Sequence, residues 1–258
     1  MARTDFNTPR LCVSAPLAEG ELLSLTPEQT HYLVNVLRLG AGARVLLFNG
    51  RDGEYSASLG QMSRKSGTLV VRAQTRPQEA PPDIDYLFAP LKHARLDFVA
   101  QKAVEMGARR LRPILTRRTQ VTRLNIERLT ANAIEACEQC GVIWTPEVLA
   151  LQSLEGALAH WPAERLLVFC DEDAPQASPL EALSGVGPHM GVGLMIGPEG
   201  GFDERERAAI LAIPQVVRLS LGPRVLRADT AAIAALTLVQ ATLGDWPRAG
   251  RTASAGGG

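Results

Sequence analysis

The stretch RLSLGPRVLRADTAAIAALTLVQATLG (residues 218–244) decides the fold. An apolar run of strand length, Val216 to Leu221, breaks at Gly222-Pro223. A short loop then carries Arg224, Arg227 and Asp229. From Thr230 to Leu243 the pattern predicts a helix that is apolar on almost every face, and such a helix is buried. A charged loop between a buried strand and a buried helix is where an open α/β sheet puts its ligand chemistry. Upstream, VGLMIGPEGGF (residues 192–202) repeats the plan, an apolar strand breaking into a glycine loop with one carboxylate.

Strands alternate with helices over the whole C-terminal part. DYLFAPL, RRLRPILTRR, RLLVFCDED, GVGLMI and VVRLSL read as strands. KHARLDFVAQKAVEMG, NIERLTANAIEACEQCG, SLEGALAHW and DERERAAILAI read as helices. This alternation predicts a parallel sheet with helices on both faces. Residues 1–75 differ: RLCVSAPL, ELLSL, ARVLLFNG, EYSASLGQM and GTLVVRAQT are short strands around one helix, TPEQTHYLVNVLRL, and suggest a small barrel. RPQEAPP (residues 76–82), with three prolines in seven positions, marks a stiff linker and the domain boundary. The second domain spans 83–247, and GRTASAGGG closes a disordered tail at 248–258.

Composition narrows the class. The chain has 258 residues, zero formal net charge and 46% hydrophobic residues, so it has enough apolar mass for a core and no global field that draws it to nucleic acid. No apolar run reaches membrane-spanning length, and MARTDFNTPR lacks a signal-peptide h-region. Four cysteines are too few for a disulfide scaffold, so the reading is a cytoplasmic protein with reduced thiols. Cys137-x-x-Cys140 lies near a helix end without further ligands at zinc spacing and reads as packing; no metal is expected. The histidines are scattered, and no Ser/His/Asp set suggests hydrolysis.

The glycine loops hold the chemistry. GPEGG is neither a P-loop nor a dinucleotide fingerprint. Its Glu199 suits a ligand with cationic groups, or one held through hydroxyls, and is otherwise a solvated turn residue. The free N–H groups of the helix that follows point at this loop. In the last loop, Asp229 or Thr230 can cap the helix. Arg224 is either a surface ion-pair member or, with Arg227, part of a clamp for phosphate or a base carbonyl. Arg109, Arg110, Arg112, Arg117, Arg118, Arg123 and Arg128 crowd twenty residues that contain one acid, Glu127, and can neutralise RNA phosphates. The apolar final helix is either the centre of a monomer or a subunit interface; the reading adopted is an interface.

Taken together, GPEGGF, LGPRVLRADTAA and EACEQCG, in this order and spacing, resemble the 16S ribosomal RNA uridine-N3 methyltransferase E family of the SPOUT class, and HYLVNVLRL followed by GARVLLFNG is similar to its small N-terminal barrel. The resemblance spans residues 10–246. It implies an α/β domain with a deep trefoil knot, a PUA-like barrel that grips RNA, and S-adenosylmethionine as cofactor. The cofactor would be held by Gly197, Glu199, Gly200, Leu221, Gly222, Val225 and Leu226. It also implies a homodimer acting on one uridine of 16S ribosomal RNA in the 30S subunit. Arg10, Arg38, Arg112, Arg117, Arg118 and Arg123 are the expected RNA contacts. Arg227 is expected to stabilise charge on the base, and Asp229 to accept the N3 proton or orient Arg227, with Glu199 in reserve. Two positions depart from the family pattern: RADT stands where RAET is frequent, and Val142 where an arginine is usual. Other readings are a SPOUT enzyme acting on a ribose 2′-oxygen and a non-catalytic RNA-binding protein of the same fold.

Overall fold

The computed structural model describes residues 5, 7–63, 66–175 and 178–246. The expected disordered tail at 248–258 lies outside them. Two compact units emerge, residues 1–80 with 134–145, and residues 81–133 with 146–258.

The first unit is a five-stranded sheet in the order β1-β3-β4-β5-β2. Its strands are β1 (Arg10–Cys12), β2 (Leu22–Ser24), β3 (Arg44–Phe48), β4 (Glu54–Met62) and β5 (Gly67–Arg76). The sheet is mostly antiparallel, with register shifts along β4 and β5, and only β1 runs parallel to its neighbour. Helix α1 (Pro27–Thr30) opens on Thr26, whose hydroxyl accepts from Gln29 while the Gln29 side chain accepts from the Thr26 amide. The chain then widens into a π-helical turn, His31–Val36. Leu33 points inward from this turn to Leu11, Val45, Leu47, Leu69 and Val71.

The second unit carries β6 (Ile84–Phe88), α2 (His93–Glu105), β7 (Arg110–Leu115), α3 (Ile126–Cys140), β8 (Glu147–Val148) and β9 (Gln152–Ser153). It continues with α4 (Leu154–Ala159), β10 (Leu166–Cys170), α5 (Pro179–Ser184), β11 (Val192–Ile196), α6 (Glu204–Leu211), β12 (Val216–Leu219) and α7 (Ala228–Thr242). The strand order is β12-β10-β11-β6-β7-β8, and β9 also pairs with β7. Every pairing is parallel. Strands β6 and β11 are buried along their whole length, as a sheet covered on both faces requires. After the edge strand β12 the chain doubles back, and α7 packs on α2, α5 and β11.

Sequence periodicity placed these elements but missed the short α5 and β9. It also gave no sign that residues 134–145 cluster with the first unit. There Glu138 accepts the Cys12 amide at 2.8 Å. Burial, reinforced by Glu135 and opposed by that hydrogen bond, pushes the Glu138 carboxyl up to about 7. The folded state therefore binds this proton more tightly than the unfolded chain does. The contribution to stability is greatest at acidic pH and is lost as pH rises from the ordinary glutamate range through 7. Glu138→Gln keeps an acceptor and removes the charge. It is expected to stabilise the protein at pH 8 by about 1–2 kcal/mol and far less at pH 5, as read from thermal melts at both pH values.

Cys137 is buried, and its thiol donates to the Trp144 carbonyl at 3.6 Å. Burial raises the Cys12 thiol to about 11, so it is an inert thiol at neutral pH. Among the described residues no group of three metal-ligating side chains occurs, and no helix is long and apolar enough to cross a membrane.

Candidate active site

In the second unit the C-terminal ends of β10, β11 and β12 surround a cavity of about 330 Å³. That volume lies within the roughly 300–1,000 Å³ usual for small-molecule sites. Phe169, Ile196, Leu219, Leu221, Leu226 and Ala231 supply apolar walls, and the rest is largely loop backbone and charge.

Of the expected cofactor residues, Gly197, Glu199, Leu221, Gly222, Val225 and Leu226 line this cavity. Gly200 does not. It borders a smaller hollow of about 30 Å³ with Lys92, Arg118 and Gln120. Gly222 sits at φ +97°, where an L side chain is strained, so the turn itself demands glycine. Val225 is 96% exposed on the same loop.

The need for glycine at 197 is of another kind. A Cβ there would stand 2.5 Å from the Phe202 ring, which in turn meets Phe169 edge-on with centroids 5.3 Å apart. The small residue makes room for a partly buried aromatic packed against the core. Gly197→Ala is expected to cost about 1–3 kcal/mol through overpacking, measured by chemical denaturation.

One expectation about the GPEGG loop is corrected, and the two alternatives for Glu199 gain a contact. Two of the amides at the start of α6 are already taken: the Asp203 carboxylate accepts from the Glu206 amide at 2.8 Å, and Glu206 accepts from the Asp203 amide at 3.0 Å. The sequence DERE is a capping box. The other Glu206 oxygen accepts from the Arg117 amide at 2.7 Å. Glu199 is not simply solvated, because it forms an ion pair with Arg95 of α2.

The last loop leads into α7, with Arg227 as its N-cap, so neither Asp229 nor Thr230 caps the helix. Arg227 makes no side-chain cap bond and is exposed. Asp229 falls in the first turn and accepts the amide of Thr230 at 2.8 Å. Among the described residues no ion pair joins it to Arg227. Its charge is felt instead by Tyr86 of β6, whose phenol is pushed up first by burial and then by Cys170 and Asp229. Leu226 and Ala228 line the cavity on either side of Arg227, which therefore sits on its rim.

The structure also brings in residues that periodicity left unassigned. Asp171, Glu172 and Asp173, directly after β10, line the cavity with Arg207. Burial raises the Asp171 carboxyl, but hydrogen bonds from Arg207 at 3.0 Å and Arg218 at 2.7 Å outweigh it and hold the group below the usual range. A signal was available: three consecutive acids close an apolar strand, at the end of a parallel sheet where ligands bind.

The arginines separate into two kinds. Arg10 is withdrawn as an RNA contact, since its side chain is 2% exposed and its Nε lies 2.9 Å from Glu54. Arg112 is also withdrawn as a free cation: its Nε bonds Asp85 at 2.5 Å, in a cluster with Arg110 and Arg165 at the opposite end of the strands from the cavity. Arg117 is 64% exposed beside Asp203, Arg118 donates to the Gly200 carbonyl, and Arg123 is exposed. Arg38 is exposed and the one described non-glycine residue at positive φ, 55°.

Comparison with known proteins places this geometry. The model of the RNA methyltransferase domain matches residues 78–240, and that of the RNA methyltransferase PUA domain matches residues 25–72. This chain belongs to the ribosomal RNA small subunit methyltransferase E family. The Rickettsia conorii enzyme of that name is 28% identical over 90% of this chain and 94% of its own. The Synechocystis enzyme is 30% identical over 91% and 78%. A crystal structure of the Neisseria gonorrhoeae enzyme bound to S-adenosyl methionine superposes with a TM-score of 0.84, at 27% identity, over 93% of this chain and 100% of that one. The family fold agrees with the resemblance in its parallel-sheet methyltransferase domain with a PUA-like domain before it.

Proposed function

We propose that this chain transfers the methyl group of S-adenosylmethionine to N3 of one uridine in 16S ribosomal RNA of the small ribosomal subunit. The observation that carries the reading is the cavity itself. It is built from the two loops, GPEGG and LGPRVL, that sequence reasoning paired, and it has an apolar wall with a carboxylate-rich end. That composition fits a ligand with a purine ring at one end and positive charge at the other. The cofactor supplies an electrophilic methyl group on a sulfonium. The loop from Leu221 to Leu226 offers backbone groups and apolar surface to the adenosine part.

The reacting base would lie at the rim, beside Arg227 and Asp229. Uridine N3 carries a proton between two carbonyls. Asp229 accepts that proton or orients Arg227, and the guanidinium stabilises charge spreading onto the carbonyl oxygens. RNA phosphates are met by Arg38, Arg117, Arg118 and Arg123. The small N-terminal domain, 1–75, acts as the RNA grip ahead of the linker at 76–82 and the catalytic domain at 83–247. The enzyme acts in the cytoplasm as a homodimer, with α7 at the interface; Ile233, Ala234 and Leu238 of this helix stay only partly buried in one chain.

The test is to incubate unmodified 30S subunits with the protein and methyl-labelled cofactor, then to digest the RNA and identify the nucleoside. Label in 3-methyluridine supports the reading. Label on a ribose 2′-oxygen points to the alternative SPOUT chemistry, and no incorporation points to a binding protein.

A further inference from the structure

Four carboxylates line the cavity, and three have an arginine. Asp171 is held by Arg207 and Arg218. Glu199 is held by Arg95. Asp173, largely exposed, lies 3.8 Å from the Arg207 Nε. Glu172 alone has neither an ion pair nor a hydrogen bond from the described residues. Its side chain is exposed and lines the cavity. Its Oε1 lies 2.9 Å from where a Cβ on Gly201 would stand, so the carboxylate reaches from the end of β10 to the glycine loop after β11. An exposed carboxylate with no ion pair is thus set at the cavity beside the glycine loop, where the Arg118 guanidinium is also near Gly201.

We propose that Glu172 is a specificity-determining residue that reads the positive charge of the cofactor's sulfonium. This rests on the reading that the cavity holds S-adenosylmethionine. Methyl transfer breaks the sulfur–methyl bond and leaves a neutral thioether. The attraction to Glu172 exists before the transfer and vanishes after it, so the residue favours binding of the methyl donor over retention of the spent product. A carboxylate that recognised the amino-acid ammonium or the ribose would act on donor and product alike, because both carry those groups.

That difference gives the test. Calorimetry measures the affinities of wild type, Glu172→Gln and Glu172→Asp for S-adenosylmethionine and S-adenosylhomocysteine. Only the coupling between the side-chain charge and the sulfonium charge survives in the ratio of the two affinities. For two charges several ångströms apart in a half-wetted cavity, Glu172→Gln is expected to shift that ratio against the methyl donor by about three- to tenfold. The shift shrinks as salt is raised, and Glu172→Asp retains most of the wild-type ratio. Equal weakening of both ligands, or no change in either, overturns the proposal while leaving the methyltransferase reading intact. Failure of the wild-type protein to bind S-adenosylmethionine removes both.

Discussion

Arg227→Ala is expected to lower the rate of methyl transfer to unmodified 30S subunits by about a hundredfold or more, with cofactor affinity nearly unchanged. Removal of one preorganised donor to a developing oxyanion costs on the order of 10²–10³ in rate. Arg227 is placed for that role by backbone rather than by side-chain partners. As N-cap of α7, at φ −67° and ψ 152°, it is the last extended residue before a helix. Its exposed guanidinium is spent on no ion pair among the described residues. Leu226 and Ala228 line the cavity while Arg227 does not, so the variant leaves the cofactor walls in place. Single-turnover rates together with calorimetry separate the two effects. A wild-type rate removes Arg227 from the chemistry. Asp229→Asn probes the base separately, and activity within a few-fold of wild type leaves Asp229 an orienting role only.

The second large effect is on stability. Asp85→Ala is expected to destabilise the fold by about 3–5 kcal/mol, because it strips the counter-charge from buried cations. The Asp85 side chain is fully buried, and Arg110, Arg112 and Arg165 all converge on it, at 2.5, 2.5 and 3.0 Å. The Arg165 side chain is only 7% exposed, and its Nε already lacks a hydrogen-bond partner among the described residues. Asp83, which also pairs with Arg110 and Arg165, is 43% exposed. Asp83→Ala is therefore expected to cost no more than about 1 kcal/mol. Equilibrium urea unfolding of both variants is the measurement, and equal losses contradict the assignment of Asp85 as the centre of the cluster. The cluster sits at the N-terminal ends of the strands, so cofactor binding is expected to survive in whatever fraction folds.

The same cluster shows where sequence reasoning stops. Seven arginines in twenty residues look like a polyanion surface. Composition records charge but not what faces it. Asp83 and Asp85 lie more than twenty residues away in the chain, and only the pairing of β6 with β7 brings Asp85 opposite Arg110. Arg10 was likewise misread, because its partner Glu54 comes from a strand that is distant in sequence. The amides of α6 were misassigned for a different reason. The capping box in DERE is local and could have been recognised from spacing alone.

What the sequence determined by itself is whatever local pattern controls: the alternation of apolar strands with helices, the breaks at glycine and proline, and the two loops whose pairing marks the family. Those loops lie twenty residues apart because consecutive parallel strands need a helix between them. Tertiary structure alone decided which charges are spent and which remain free. It paired Asp171 with two arginines, Glu199 with Arg95 and Asp85 with three, and it left Glu172 unpaired in the cavity and Arg227 on its rim. Electrostatic pairing acts over a few ångströms of space, and distance along the chain carries almost no information about it.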